Sequence, residues 1–427
     1  MVIYCSGIGG IGLSAYAALQ RAAGNVVRGS DKSDSALIQD LRSQGIEVFL
    51  GQDGTHVTAD IDLFVYSEAV PPDAPERRKA TELGIEQQSY FHALGVLSEP
   101  YDVIAICGTH GKSSTTAMAA KVFVDAGLDP TIVVGTKSPD LGGRNWRKGR
   151  SNLFIVEACE YRRSFHFLSP DTVALTTVDG DHFDAYGSLD EYRAAFVEFL
   201  GRLPEGRPVV FHGSDEACGA VVQASGHPGI DADSFALPEL GVAGEHMRQN
   251  ARLVLGLAAQ YGIDEGNARA SLKGFSGTWR RMETKGTRAD GVTVIDDYAH
   301  HPAEIRASLQ GIREANPGRR IVCVFQPHTH DRTLKLYDEF LPVFKDADLV
   351  VIPNVYAARS ESDGGQVDLA TFIADLAKGS GVDVRDGGGL DGTLEWLKHA
   401  VEPNDVVVTM GAGDVTSLAS KILTLSA

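Results

Sequence analysis

Twice in this chain a short apolar run ends in a glycine-rich turn that opens directly into a helical pattern, and no other feature restricts the fold as much. The first instance, "VIYCSGIGGIGLSAYAALQRAAG", closes at Gly24 and is followed by a second strand in "NVVRGSD". Strand, helix and strand in that order make a βαβ unit, whose strands run parallel. The second instance is "YDVIAICGTHGKSSTT". Strand patterns at "IEVFLG", "DLFVYSEAV", "NLFIVEACE", "TVALTTVDGDH" and "PVVFHG" alternate with helical ones such as "LDEYRAAFVEFLGRL" and "GEHMRQNARLVLGLAAQYG". A third alternation starts at "GVTVIDDYAHHP" and passes through "RIVCVFQPHTHDRT" and "ADLVVIPNVY" to "NDVVVTMGAGDVTSLASKIL". Such alternation predicts an α/β protein built on doubly wound parallel sheets. A chain of 427 residues exceeds one ordinary core, and the pattern changes place its expected domains at 1–97, 98–285 and 286–427.

The net charge of −18 argues against nucleic acid and anionic membrane surfaces as partners. A phosphate-bearing ligand therefore has to be met by local devices: helix N-termini, Lys, Arg or a metal ion. The 5 cysteines form no CxxC pair, which suits free thiols in a reducing compartment. No apolar run reaches the length of a membrane span, and "MVIYCSG" enters the first strand at once. The expectation is a cytoplasmic protein without membrane insertion.

Gly7, Gly9 and Gly12 satisfy G-x-G-x-x-G between a strand and a helix, and Asp31 ends the next strand. The pattern suits a diphosphate at the helix N-terminus with Asp31 on a ribose hydroxyl. It does not separate a dinucleotide from a nucleotide sugar, and plain turn glycines are a third reading. The second loop departs from G-x-x-x-x-G-K-[ST] because Ile106 stands where the first glycine belongs. Gly108, Thr109, His110, Gly111, Lys112, Ser113 and Ser114 keep its working parts: consecutive amides at a helix start, a lysine for the outer phosphates and a hydroxyl for Mg²⁺. Glu157 ends one apolar strand and His182, with Asp181, follows another, so both belong to the carboxyl edge where this loop opens.

Taken in order, "GIGGIG", "GSD", "GTHGKS", "VEACEYRRSF", "TVDGDHFD", "GEHMRQNA", "GTWRRME", "DDYAHHP", "FQPHTHDRT" and "MGAGD" resemble the Mur ligase family of peptidoglycan synthesis over essentially the whole chain. The closest likeness is to members that join L-alanine to UDP-N-acetylmuramate. The resemblance implies a Rossmann-like UDP-sugar domain, a central P-loop ATPase-like domain and a Rossmann-like C-terminal domain. It further implies ATP, two Mg²⁺ ions and an acyl phosphate route; the sequence leaves monomer and homodimer both open.

By the same resemblance Lys112 clamps phosphate, Ser113 and Glu157 hold one Mg²⁺, and His182 holds a second. His246 and Asn250 contact adenine, Asp297 ribose and Arg281 the γ-phosphate. Tyr298, His300 and Arg332 form the amino-acid end, with Lys112, His182, Arg281 and His300 as the catalytic set. Gly7, Gly9, Gly10, Gly12, Asp31 and Ser67 meet the UDP-sugar. Read without the family, His300 and His301 before Pro302 suit a helix start, Arg281 a surface charge and Asn250 a polar helix face. Cys159, Met247 and Thr329 depart from the family's usual residues. Rival readings are a ligase that recycles murein tripeptide, an NAD-dependent oxidoreductase that uses only the first loop, and a nucleotide-binding regulator.

Overall fold

The computed structural model describes residues 1–180, 185–357 and 365–425. They fall into two compact units, Met1–Gly241 with Gln249–Ser276, and Val242–Arg248 with Gly277–Ala427. The first unit holds two sheets and the second holds one.

In the N-terminal sheet five parallel strands lie in the order Glu47–Leu50, Val26–Asp31, Val2–Ser6, Leu63–Tyr66 and Glu86–Ser89. The strand entering the first glycine loop is central, with Ser6 level with both Ser30 and Tyr66. The chain turns from one side of that strand to the other, which opens a crevice at its carboxyl end. Beneath the crevice the carboxylate of Glu76 is buried, and it accepts hydrogen bonds from Tyr4 Oη (2.7 Å), Ser30 Oγ (2.7 Å) and Ser6 Oγ. Three hydroxyl donors offset the cost of removing that charge from water.

The central sheet has seven strands, ordered Gly229–Asp231, Val209–Phe211, Thr172–Leu175, Asp102–Cys107, Leu153–Glu157, Thr131–Ser138 and Arg144–Arg147. All neighbours are parallel except the last pair. One apolar core joins the two sheets of this unit, with Ile3 and Cys5 from the first and Val103, Ala105 and Phe154 from the second. The larger of these, Ile3, Val103 and Phe154, each contribute about 1.5–3 kcal/mol by burial. That continuous core is the physical reason these sheets behave as one compact body.

The second unit carries six strands, ordered Glu283–Thr287, Thr293–Asp297, Val406–Met410, Ile321–Phe325, Leu349–Ile352 and Asp383–Asp386. Ile321, Cys323 and Phe325 enter the core on one face while Val322 and Val324 enter the other. Helices cover both faces, so the central strands read as unbroken apolar runs. The expected doubly wound α/β architecture with three sheets is thus present. The two antiparallel edge strands, Arg144–Arg147 and Glu283–Thr287, depart from the all-parallel expectation. Their sequences, "RNWR" and "ETKGT", carry no apolar run because an edge strand is not buried on both sides.

Candidate active site

The strand Asp102–Cys107 delivers the chain to the second glycine loop, and Gly111 caps the helix Lys112–Asp125 at φ 81°. Thr109 N donates to Thr177 O (2.9 Å) and His110 N to Thr177 Oγ1 (3.1 Å), which fixes the front of the loop. The first helical closure is Thr115 N to Gly111 O at 2.9 Å. The amides of Gly111, Lys112, Ser113 and Ser114 have no partner among the described residues. Consecutive open N–H groups at the positive end of a helix form an anion site.

Side chains complete it. Lys112 Nζ donates to Gly108 O (2.6 Å), Thr109 O (2.9 Å) and Glu160 Oε1 (3.0 Å). Ser113 Oγ donates to Glu157 Oε1 at 3.0 Å, and Gly135 N holds Glu157 Oε2 at 2.7 Å. Glu157 is level with Ile106 across the sheet, so the pairing register sets it beside the loop. A hydroxyl and a carboxylate in contact, beside open amides and a lysine, form a hard-oxygen donor set that fits a magnesium nucleotide. A Cβ on Gly111 would lie 2.5 Å from Asn250 Oδ1, which brings Asn250 to the same loop. Leu175 is level with Cys107, so the strand before His182 ends at this edge, while Asp181 and His182 lie outside the described residues.

Glu160 is the counter-charge that sequence reading missed. It is fully buried, pairs with Lys112 at 2.9 Å, and its carbonyl accepts from the Tyr186 hydroxyl. Immediately after it, Arg162 and Arg163 adopt left-handed backbone angles (φ 49° and 58°), a conformation that costs each about 1–3 kcal/mol. Burial, and after it the charge of Glu160, pushes the Cys159 thiol up to about 12. Cys159 therefore stays a neutral packing group beside Glu157.

The first loop is organised differently. Gly7 N and Ile8 N both donate to Ser30 O (2.9 and 3.0 Å), Gly10 N donates to Gly7 O (3.1 Å), and Gly9 N donates to Asp31 Oδ2 (2.9 Å). Asp31 Oδ1 accepts from Ser33 N at 3.3 Å, so both carboxylate oxygens hold backbone here. Ser67 flanks Gly7, with its Cβ 2.9 Å from where a Cβ on Gly7 would stand. Only the amides of Ile11, Gly12 and Leu13, at the start of the helix Ile11–Ala22, have no partner among the described residues.

In the second unit Asp297 accepts from Met282 N (2.6 Å) and Ala299 N (2.7 Å), with Ser308 Oγ at 3.3 Å. Burial pushes its carboxyl up to about 6, against the lowering influence of Arg281. The two arginines of "GTWRRME" separate in role. Arg280 is buried, bound to Asp296 Oδ2 (2.9 Å) and Gly411 O (2.5 Å). Arg281 lies over the Tyr298 ring, 5.1 Å from its centroid. His246 is partly buried, and desolvation followed by the charge of Arg281 lowers it to about 4.

His301 caps the helix Pro302–Ala315 in a reciprocal box with Glu304, as the helix-start reading anticipated for that residue. His300 instead joins a ring series: Tyr298 to His300 at 5.3 Å, His300 to His328 at 5.7 Å, and His328 to Tyr356 at 5.6 Å between centroids. Arg332 Nη1 lies 3.5 Å from His328 Nδ1, so Tyr298, His300 and Arg332 are gathered in one place. Arg332 sits on the helix His330–Lys335, whose cap is Thr329 at φ 66°.

Residues 2–102 match the family described as Mur ligase family, catalytic domain, residues 106–249 the Mur ligase middle domain, and residues 280–413 the Mur ligase glutamate ligase domain. A UDP-N-acetylmuramate–L-alanine ligase of Clostridium novyi is 34% identical over 99% of this chain and 97% of its own length. The chain belongs to the Mur ligase family. A second ligase of the same name, from Caldanaerobacter subterraneus, is also 34% identical over 99% of the chain and 97% of its own length. The crystal structure of UDP-N-acetylmuramate-alanine ligase MurC from Thermotoga maritima superimposes with a TM-score of 0.83 at 28% identity, covering 99% of this chain and 98% of that one. A murein peptide ligase from Psychrobacter arcticus shares the fold at a TM-score of 0.75 and 22% identity, covering 100% of this chain and 98% of that one.

Beside the candidate residues of this Mur ligase stand Glu160, Tyr90, His328 and Tyr356, which sequence reading did not assign: Glu160 pairs with Lys112, the Tyr90 ring lies 2.6 Å from where a Cβ on Gly12 would stand, and His328 and Tyr356 extend the ring series from His300. Glu160 and His328 stand inside the motifs already singled out, three residues from Glu157 and four from Arg332. Tyr90 and Tyr356 stand in no motif, and only the folded chain brings them to a loop. Among the described residues no cluster of three or more His, Cys, Asp or Glu side chains is placed to hold a metal ion. No helix among them is long and apolar enough to cross a membrane.

Proposed function

We propose that this Mur ligase joins L-alanine to UDP-N-acetylmuramate at the expense of ATP. The observation that carries the substrate assignment is the 34% identity to ligases of that name over 99% of the chain. The second loop supports the ATP half: open amides at Gly111, Lys112, Ser113 and Ser114, the ammonium of Lys112, and the Ser113–Glu157 oxygen pair. In our reading residues 1–97 hold the UDP-sugar, 98–285 the nucleotide, and 286–427 bring the amino acid.

The chemistry needs ATP because a carboxylate is a poor electrophile. The muramyl carboxylate attacks the γ-phosphorus, ADP departs, and the acyl phosphate now carries a leaving group. The deprotonated amine of L-alanine attacks the acyl carbon, and inorganic phosphate leaves as the amide forms. Both steps press anions together, so fixed positive charge does most of the work. Lys112 serves that purpose on the loop, and Arg281, stacked on Tyr298, is our candidate for the γ-phosphate. Mg²⁺, when bound by Ser113 and Glu157, supplies charge neutralisation on the phosphates; a second ion at His182 belongs to the same proposal. Asn250 and His246 are proposed on adenine and Asp297 on ribose, with His300 and Arg332 at the amine and carboxylate of alanine.

The test is release of ADP from the full chain given ATP, Mg²⁺ and UDP-N-acetylmuramate, with L-alanine or a murein tripeptide as the amine. We expect turnover with L-alanine and little with tripeptide. A strong preference for tripeptide would overturn the assignment in favour of a recycling ligase. Turnover that needed nicotinamide would overturn the class.

A further inference from the structure

The first loop poses a charge problem that its own residues do not solve. The stretch "GIGGIGLS" contains no lysine or arginine. Four of its amides are spent on Ser30, Asp31 and Gly7, which leaves Ile11, Gly12 and Leu13 to meet a ligand. A diphosphate at a three-amide helix end still has oxygens without donors.

Tyr90 stands at that end. It opens the helix Tyr90–Ser98, whose cap is Ser89 accepting from His92 N at 3.3 Å. A Cβ on Gly12 would fall 2.6 Å from Tyr90 Cε1 and Cζ and 2.8 Å from its hydroxyl. The phenol end, not only the ring, is therefore laid over Gly12, and glycine is required there to admit it. The Tyr90 hydroxyl has no hydrogen-bond partner among the described residues. Burial, followed by the charge of Glu157, holds its proton above the ordinary tyrosine range, so the group remains a donor.

The same side chain therefore lies by Gly12 on one loop and within electrostatic reach of Glu157 beside the other. A second contact ties these regions: Asn145 Nδ2, on the strand Arg144–Arg147, donates to Ile11 O at 2.5 Å. The helix Ile11–Ala22 packs on that strand and on Thr131–Ser138. The first loop is thus braced against the nucleotide half of its unit at the point where Tyr90 is held.

We propose that Tyr90 is a substrate-binding residue whose hydroxyl donates a hydrogen bond to a phosphate oxygen of the UDP-sugar at the amides of residues 11–13. The inference rests on the reading of the first loop as the UDP-sugar site. It adds a neutral donor that completes the diphosphate cradle.

Tyr90→Phe keeps the ring on Gly12 and removes only the hydroxyl, so calorimetric titration of the full chain tests the proposal directly. For UDP-N-acetylmuramate and for UDP we expect Kd to rise about tenfold, the usual scale for one hydrogen bond to a charged oxygen. Uridine, which lacks phosphate, should bind wild type and variant alike. The Kd of a non-hydrolysable ATP analogue with Mg²⁺ should hold within about twofold. Unchanged affinity for UDP in Tyr90→Phe, or an equal loss for uridine, would overturn the proposal alone. Wild-type protein that failed to bind UDP-N-acetylmuramate would overturn the first-loop reading and this one with it.

Discussion

The two glycine loops start from the same sequence device, a buried strand running into glycines and a helix, yet they distribute their donors in opposite ways. In the first, the amides of residues 7–10 are consumed within the loop, and a carboxylate, Asp31, sits on Gly9 N. In the second, residues 111–114 keep their amides open and add the ammonium of Lys112, held against buried Glu160. The difference teaches that a glycine pattern specifies a tight turn, while the surrounding strands decide how much positive potential the turn presents. By that measure the second loop suits the more highly charged ligand.

Lys112→Ala should break the contrast most sharply. Turnover should fall about a thousandfold or more, because the fixed charge on the reacting phosphate is lost. Affinity for UDP-N-acetylmuramate should stay within about twofold. An ADP-release assay paired with calorimetry checks both; persistent turnover would mean that the second loop is not the nucleotide site.

Glu160→Gln comes next. It leaves a largely buried ammonium without its counter-charge, at a cost on the order of 3 kcal/mol in stability. Chemical denaturation would register this as a lower midpoint with an unchanged slope. A variant as stable as wild type would show that the loop carbonyls alone satisfy Lys112.

Glycine-to-alanine pairs sharpen the comparison further. At Gly111, φ 81° and Asn250 Oδ1 at 2.5 Å leave no room for a methyl group, and nucleotide affinity should drop about thirtyfold. At Gly10, φ −66° suits any residue and the nearest atom to a new Cβ is 3.5 Å away, so Gly10→Ala should leave UDP-sugar affinity within about twofold and cost about 1 kcal/mol in stability, the scale of replacing a glycine helix cap by alanine. Titration of both variants with both nucleotides gives the four values needed.

The last effect concerns protons, in the second unit and outside both loops, and in the wild type it nearly cancels. His246 is lowered to about 4, so it stays neutral in the fold while the unfolded chain protonates it below its ordinary value. Its contribution to stability is present above that ordinary value and is lost as pH falls toward 4. Asp297 is raised to about 6, so the fold binds its proton where the unfolded chain does not. Its contribution grows as pH falls from about 6 toward the ordinary carboxylate value. The two oppose each other, and wild-type stability from this pair should change little between pH 6 and 4. His246→Asn should expose the Asp297 effect as a gain of about 1–2 kcal/mol on acidification, followed by thermal melts at several pH values. A variant that lost stability over that range would contradict the assignment.

Both loops, their flanking strands and the order of the three α/β stretches were legible in the sequence, because an apolar run buried on both sides of a sheet leaves a plain pattern. Lys112, Ser113 and Glu157 were legible for a related reason: strand ends and helix starts carry residue types that local chemistry dictates, and the register of Ile106 with Glu157 brings them together. His301 was legible as a helix start before Pro302, while its neighbour His300 joins the ring series. The edge strands Arg144–Arg147 and Glu283–Thr287 were not, since half-exposed strands need no apolar run.

What the sequence determined by itself was therefore the class of fold, the two phosphate-type loops and the family. Which donors each loop keeps open was decided by tertiary structure, because those amides are spent or spared by Ser30, Asp31 and Thr177, which stand on other strands and turns. The same holds for Glu160 beneath Lys112 and Tyr90 over Gly12: a buried counter-ion and a stacked phenol are relations across the fold, and no local spacing records them.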